Sequence, residues 1–559
     1  MTLLSSVAPV VETPFDAYIA KQSELTAVDR FSRHHANDLG HHQDRYYRDL
    51  LPLAKPTVGQ QYAFEVDLDA CTGCKSCVAA CHSLNGLDDD ESWRTVTLLR
   101  SRPAATPYQQ TVTSACHHCV DPACLKGCPV DAYEKDPITG IVSHLDDQCI
   151  GCSYCTLACP YDVPVYNEKR GIVRKCDMCK SRLAVGEAPA CVQSCPNEAI
   201  AISVIDIASV TAKANVKDAV VVTGSPPSSI TIPTTIYRSD RMPTVLGAES
   251  HSQANSDDLA VERFMRDERP ATAHPPLAVM LVLTQLSVGA FVIDQLTRGR
   301  VGAASSSSFD AALAVGVGVL AMGASVFHLG RPQYFYRAII GLKHSWLSRE
   351  VLAFGLFTAL ATAYAFVEAV HWPVRSDAVI KVLGIAGAVA GVGGVMCSMM
   401  IYAVTRRNSW RLARIGPTFI ATSAICGLSL MIWASHVSAL FSKTDAHPLS
   451  SSWSAGLLAL VVVKLAAELS LFRPIRPVPN RHADREEHAR VARLLANDLR
   501  LVVMKRIVVT LVGLGCVLGL LAPIGSWPSL LLASIALVAL TLGEFFERSL
   551  FFTTVGRPR

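Results

Sequence analysis

The chain reads as two units in series, a cysteine-rich α+β domain followed by an all-α transmembrane domain of about eight helices. Sixteen of its 19 cysteines fall between Cys71 and Cys195, and residues 276–550 are dominated by Ala, Leu, Val, Ile and Gly. The composition is 50% hydrophobic and 18% charged over 559 residues, with a mean hydropathy of +0.30. That balance is unusual for a wholly soluble protein and reads as a polar half joined to a membrane half. It excludes a collagenous chain, a disordered chain and a small secreted scaffold. The net charge of +4 is too small to argue for nucleic acid, and no such partner is expected.

Residues 1–60 read as a polar extension, with short helices suited to 18–38 and 43–53 and solvated histidines at 34, 35, 41 and 42. Positions 1–13 have no positive start, no long apolar core and no twin-arginine pair, so export of this half would need a partner's signal. A strand-like run over 62–66 leads into the cysteine domain, residues 61–205. Residues 206–274, with Pro226, Pro227, Pro233 and Pro243, read as a linker. Apolar segments then recur near 276–296, 309–327, 351–370, 379–404, 416–438, 454–472, 503–522 and 527–545. Most approach the roughly 20 residues that a helix needs to cross the hydrocarbon layer. They make 275–550 the transmembrane domain and 551–559 a tail. Cys397, Cys426 and Cys516 stand singly in these segments and read as small buried hydrophobes.

The sixteen cysteines form four sets of four. The first is Cys71, Cys74, Cys77 and Cys81, and the second Cys116, Cys119, Cys124 and Cys128. The third, Cys149, Cys152, Cys155 and Cys159, repeats the spacing of the first. The fourth is Cys176 and Cys179, then Cys191 and Cys195 after an insertion. CPVDA at 128–132 is echoed by CPNEA at 195–199, an internal repeat that suggests ferredoxin-like units of short strands and helices. Three thiolates from one tight loop can each reach a corner of a cubane, and the fourth points to another cluster. Sixteen thiolates therefore suit four [4Fe–4S] clusters with none left over. Zinc would make the third cysteine of each run redundant, and disulfides fit three cysteines within seven residues poorly. Folding should depend on the metal, because cluster binding energy is also folding energy.

CTGCKSCVAACHSLNG, ACHHCVDPACLKGCPVDA, CIGCSYCTLACPYDVPVYN and KCDMCKSRLAVGEAPACVQSCPNEAI resemble the four-cluster iron–sulfur subunit of dimethyl sulfoxide reductase-type molybdoenzymes, over roughly residues 60–205. The resemblance implies the ligand sets. Cys71, Cys74 and Cys77 would share a cluster with Cys195, and Cys176, Cys179 and Cys191 one with Cys81. Cys149, Cys152 and Cys155 would pair with Cys128, and Cys116, Cys119 and Cys124 with Cys159. Some relatives replace a cysteine of the third set; Cys152 is present here, which implies four cubanes. His82 stands where a proline might follow Cys81 and removes no ligand.

Ionisable residues in or beside apolar spans are functional candidates by default. Here they are Asp294, His328, Glu350, Glu368, His436, Lys464, Glu468 and Glu544. Lys464 and Glu468, four apart, most simply neutralise each other, and Glu544, Glu547 and Arg548 would anchor the last helix end. The denser stretches FHLGRP at 327–332 and SWLSRE at 345–350 suit an interfacial loop with snorkelling arginines and a belt tryptophan. However, PPLAVMLVLTQLSVGAFV, HLGRP and SWLSRE also resemble the membrane anchor subunit of the same reductases, over roughly 275–550. That resemblance implies a quinol site at His328 and Glu350, with Arg331 holding a quinone oxygen or pairing with Glu350. Quinol oxidation releases two protons with two electrons, and a histidine accepts a proton near neutral pH. A haem would need two facing histidines. His371 and His436 share the opposite side of the membrane, where a haem is conceivable, but the resembled anchor carries no haem and none is expected.

On the side of the cysteine domain the loops and tail carry twenty Lys and Arg residues, and on the other side five. The positive-inside rule then puts the iron–sulfur domain in the cytoplasm. The whole reads as both subunits fused in one chain integral to the cell's inner membrane. Quinol from the membrane pool would be oxidised and electrons passed through four [4Fe–4S] clusters to a separate molybdopterin catalytic subunit. Three alternatives stand beside this. One is a polysulfide-reductase-type anchor running electrons toward quinone, and another a proton-coupling anchor using Lys464, Glu468 and Glu368. The third is a colourless, zinc-stabilised scaffold.

Overall fold

The protein is described by a computed structural model over residues 47–101, 109–216, 219–222, 225–241, 261–263, 275–301, 308–369, 377–442, 450–469, 491–522 and 525–554. The helix expected over 18–38 and the four histidines lie outside these residues. Of the helix expected over 43–53, the described part holds a single 3-10 turn, Arg48–Leu50.

The cysteine domain follows the order β1 (Gln60–Asp67), α1 (Ser76–Asn85), β2 (Thr95–Ser101), β3 (Gln109–Ser114), α2 (Ala123–Gly127), β4 (Tyr133–Lys135), β5 (Val142–His144), α3 (Tyr154–Ala158), β6 (Val165–Asn167), β7 (Ile172–Arg174), α4 (Lys180–Ala184), α5 (Ala190–Gln193), β8 (Ile200–Asp206), α6 (Ile207–Ala214), β9 (Ile236–Arg238) and β10 (Val261–Arg263). β1 is the middle strand of its sheet, antiparallel to β8 and parallel to β9. That position explains why Tyr62, Ala63, Phe64 and Val66 are all buried instead of alternating with exposed residues. β4–β5 and β6–β7 are two short hairpins. Each follows a cysteine run and a one-turn helix. Between the elements, apolar residues such as Phe64, Met178, Val192 and Ile202 pack directly against Cys77, Cys116, Cys176 and Cys191. The hydrophobic core is thus threaded with thiols.

The expected linker is in part structured. β9 pairs with β1, and β10 pairs with β2. Thr234 donates to the His117 carbonyl from its Oγ1 at 2.6 Å, and Tyr237 donates to the Thr113 carbonyl at 3.2 Å. Arg241 pairs with Asp69 at 2.8 Å. Residues up to 241, and the strand over 261–263, therefore bond to the cysteine domain. A three-residue strand gives no periodic signal, and its order comes from partners far away in sequence.

Eight helices long and apolar enough to cross a membrane follow among the described residues. They are α7 (Pro275–Val301), α8 (Ser308–Val326), α9 (Trp346–Ala369), α10 (Asp377–Ala403), α11 (Leu412–Ser442), α12 (Ser450–Leu469), α13 (Arg500–Gly519) and α14 (Ser526–Thr553). All eight expected spans are present. Small residues set the closest crossings, as packing in a membrane favours. A Cβ on Gly289 of α7 would collide with the Ser423 carbonyl of α11, and Gly387, Gly391 and Gly394 of α10 receive Phe291, Phe357 and Phe354.

Two groups of charges within the bundle compensate one another. Lys464 pairs with Glu544, and Arg506 pairs with Glu544 at 3.1 Å and with Glu468 at 3.0 Å. The expected Lys464–Glu468 pair is present but long, at 3.9 Å. Glu544, expected as an end anchor, is instead the hub of this group, and Thr422 also donates to it at 2.6 Å. Sequence spacing suggests the i,i+4 pair, but α13 and α14 supply closer partners. Toward the other face, Arg298 pairs with Glu368 and, at 3.4 Å, with Asp294.

Candidate functional site

The cysteine sets are built by a repeated backbone device. Gly73 and Lys75 of the first run have positive φ, as do Gly151 and Ser153 of the third. These turns let three thiols of one short loop face inward before the helix begins. After the fourth cysteine, CPVDA and CPNEA match in geometry as well as in letters. Asp131 and Glu198 have φ of 53° and 51°. The N–H of Ala132 donates to Cys128 Sγ at 3.2 Å and that of Ala199 to Cys195 Sγ at 3.3 Å.

The folded chain gathers the cysteines into four groups, each with three from one run and one from another. Cys71, Cys74, Cys77 and Cys195 line one cavity with Thr113. Cys81, Cys176, Cys179 and Cys191 line a second with Arg94. Cys116, Cys119, Cys124 and Cys159 line a third with His117, His118 and Lys175. Cys128 lies within electrostatic reach of Cys149, Cys152 and Cys155. None of the sixteen is in a disulfide. Among the described residues, no three His, Cys, Asp or Glu side chains converge on a point that a single ion would occupy. A ring of four thiols around a cavity instead fits a cubane, whose irons sit at separate corners. Burial pushes Cys81 and Cys159 up to about 12 and Cys179 to about 11. Such thiols give up their protons when a metal takes their place. Burial, helped by the Arg94 guanidinium, pushes His117 down to about 4, so it is neutral.

Two of these groups face the membrane domain. The Gly330 N–H donates to the Gly151 carbonyl at 3.3 Å, and the Arg331 N–H to the Ile150 carbonyl at 3.1 Å. The HLGRP loop thus bonds to backbone lying between Cys149 and Cys152. A Cβ on Gly330 would collide with the Gly171 carbonyl, and one on Gly151 would meet both Gly171 and Gly330. The loop before α9 makes the matching contact with the second run. Gly341 N–H donates to the Pro129 carbonyl at 2.8 Å, and Ser345 Oγ donates to the Gly127 carbonyl at 2.8 Å. Arg407, between α10 and α11, donates to the Cys159 carbonyl at 3.2 Å and pairs with Asp162 at 3.0 Å.

Glu350 is buried one turn into α9 and accepts a hydrogen bond from Ser398 of α10. His328 is half-buried just beyond the end of α8. Arg331 does not turn to Glu350; its guanidinium donates to the Asp146 carbonyl at 2.8 Å and holds the loop to the cysteine domain. Tyr154, between Cys152 and Cys155, donates to the Ile401 carbonyl at 2.7 Å and lies within electrostatic reach of Glu350. The cysteine domain therefore inserts a side chain beside the membrane carboxylate. Ser398 and Tyr154 carry no motif of their own and were missed in the sequence. Gly151 and Gly330 were visible there only as letters within CIGC and HLGRP. His436 is half-buried near the opposite face, and His371 lies outside the described residues.

Residues 108–205 match the family model described as a 4Fe-4S dicluster domain, and residues 271–554 match the DMSO reductase anchor subunit (DmsC). The sequence is 40% identical over 158 residues to a chain of the anaerobic dimethyl sulfoxide reductase of Escherichia coli strain K12, covering 26% of this chain and 75% of that one. It is 38% identical over 156 residues to the protein of the same description in Haemophilus influenzae, covering 26% and 76%. It is also similar to the formate dehydrogenase-O iron-sulfur subunit of Escherichia coli strain K12, 36% identical over 157 residues and covering 25% and 52%.

The glycine contact makes a direct test of the docking. A side chain at Gly330 has no room against Gly171, so Gly330→Val should weaken the seating by about 1–3 kcal/mol, the usual cost of overpacking. Hydrogen exchange should then quicken at residues 146–151 and 327–332 while the iron content stays that of the wild type. Unchanged exchange in both segments would show that the loop is not held there.

Proposed function

Because this chain belongs to the DMSO reductase anchor-subunit family and joins that anchor to an iron–sulfur domain similar to a chain of the anaerobic reductase, we propose that it oxidises membrane quinol and delivers the electrons to a separate molybdopterin catalytic subunit. It is the iron–sulfur electron-transfer and membrane-anchor component of a dimethyl sulfoxide reductase-type complex. The observation that carries the quinol reading is the hydrogen bonding of the HLGRP loop to the backbone between Cys149 and Cys152. A donor bound beside that loop is next to the cysteine domain, where electrons must leave, and near the membrane surface, where protons must go.

The cysteines named above would hold four [4Fe–4S] clusters, which when bound supply one-electron carriers between the two-electron donor and the partner subunit. His328 takes one proton of the quinol, since an imidazole accepts a proton in the neutral range. Glu350 holds the second hydroxyl and takes its proton; Ser398, hydrogen-bonded to the carboxylate, fixes its direction. Arg331 acts by orienting the His328 loop through Asp146. No haem is needed in this scheme.

The cytoplasmic side is proposed for the iron–sulfur domain on the charge asymmetry. Arg506 and Arg548, counted in the sequence as loop and tail charges, are buried in the bundle. The remaining charges still lie predominantly on the cysteine-domain side.

His328→Ala and Glu350→Gln should each reduce quinol-dependent turnover at least about a hundredfold, the scale of a lost proton-transfer group. About sixteen irons per chain should remain, all reducible by dithionite. Full quinol turnover in either variant would return that residue to an interfacial anchor. In intact spheroplasts, protease added outside should leave residues 206–274 uncut, and cutting there would reverse the orientation.

A further inference from the structure

Two buried cations are neither cluster ligands nor part of the quinol site. Arg94 is 2% exposed and precedes β2. Its Nη1 donates to Thr113 Oγ1 at 3.2 Å, and Thr113 Oγ1 lies 3.6 Å from Cys77 Sγ. A guanidinium only donates, so the threonine oxygen accepts and its own hydrogen is left for the sulfur. The other arm, Nη2, is buried with no hydrogen-bond partner among the described residues. Arg94 also lines the cavity of Cys81, Cys176, Cys179 and Cys191. One side chain thus serves two neighbouring cysteine groups.

Lys175 repeats the arrangement one step along. It is 3% exposed and follows β7. Its Nζ lies 3.7 Å from Cys116 Sγ, and it donates to the Cys176 carbonyl at 2.8 Å and to the Val142 carbonyl. It lines the cavity of Cys116, Cys119, Cys124 and Cys159, and the next residue is Cys176. The adjacent Arg174 is paired with Glu91 at 2.9 Å. No such carboxylate pair is made by Lys175 or Arg94 among the described residues; Asp177 is the acid within electrostatic reach of Lys175. A buried charge without a counter-ion is expensive. Thiolate-bound iron–sulfur clusters, which carry net negative charge, supply the missing compensation.

We propose that Arg94 and Lys175 are potential-setting residues, fixed positive charges placed between adjacent cluster cradles that make the clusters on both sides easier to reduce. Arg94 stands between the Cys71 and Cys81 groups, and Lys175 between the Cys116 and Cys81 groups. The group of Cys81, Cys176, Cys179 and Cys191 borders both. Reduction adds one electron to a cluster, with no bond made or broken, and a cation a few ångströms away in a low-dielectric interior stabilises the added charge. This inference rests on the four-cluster reading above.

The test is a redox titration of the full-length protein followed by electron paramagnetic resonance, with iron content measured on each sample. In Arg94→Met two of the four potentials should fall, and in Lys175→Met two should fall, one of them common to both variants. At a fixed ambient potential the reduced-to-oxidised ratio of each affected cluster should drop on the order of tenfold, about 59 mV for a one-electron couple. Arg94→Lys and Lys175→Arg, which keep the charge, should stay close to the wild type. Potentials unmoved in a fully loaded Met variant would overturn the proposal, as would equal shifts in the charge-keeping variants, which would mark a packing effect. If Arg94→Met fails to retain iron, Lys175→Met decides the matter on the shared cluster alone. A wild-type protein without four reducible clusters would instead overturn the underlying reading, and this inference with it.

Discussion

The contact on which the two halves depend is a close approach of backbone to backbone. Gly330 of the membrane domain meets the backbone of Gly151 and Gly171 of the cysteine domain, with the Tyr166 hydroxyl beside it. Side chains in that gap would push the cysteine domain off the helices, and electron transfer falls steeply with distance. Positive φ at Gly151 and Gly171 and the absence of a Cβ are therefore one requirement. The turn that lets Cys149 and Cys152 face inward is also the surface that accepts the HLGRP loop. The arginines around it reinforce the seating by donating to carbonyl oxygens, Arg331 to Asp146 and Arg407 to Cys159.

The buried charges follow a related logic at two depths. In the helix bundle, Lys464, Glu544, Arg506 and Glu468 compensate one another, so the group is stable without a ligand. In the cysteine domain, Arg94 and Lys175 have no matching carboxylate pair among the described residues and look instead onto thiols. The first arrangement is closed, and the second is completed by what the thiols bind. This contrast supports a structural role for the bundle network, and with Glu368 likewise paired to Arg298 it weighs against the proton-coupling alternative built on Lys464, Glu468 and Glu368.

Much of this was legible in the sequence because the signals are local. The cysteine spacing fixes the loops, and eight apolar runs of membrane length became eight helices. What was not legible depends on partners distant along the chain. β9 is too short to announce itself and exists because β1 offers an edge. Glu544 looked like a helix-end anchor because its partners, Lys464 and Arg506, are 80 and 38 positions away. Arg94 lies in no motif, and Lys175 is legible only as the first letter of the KCDMCK stretch. Tyr154 sits inside a cysteine run, yet its partner on the membrane side, Ile401, is 247 positions away.

The central claim is that a quinone site in the membrane half exchanges electrons with the cysteine domain through this seating. It is tested most directly by reducing the full-length protein with dithionite, removing the excess, and mixing it anaerobically with a soluble quinone analogue while the iron–sulfur absorbance and resonance signals are followed. The account predicts that the clusters reoxidise, with one quinol formed for every two electrons they lose. Clusters that stay reduced in the presence of excess quinone would contradict it.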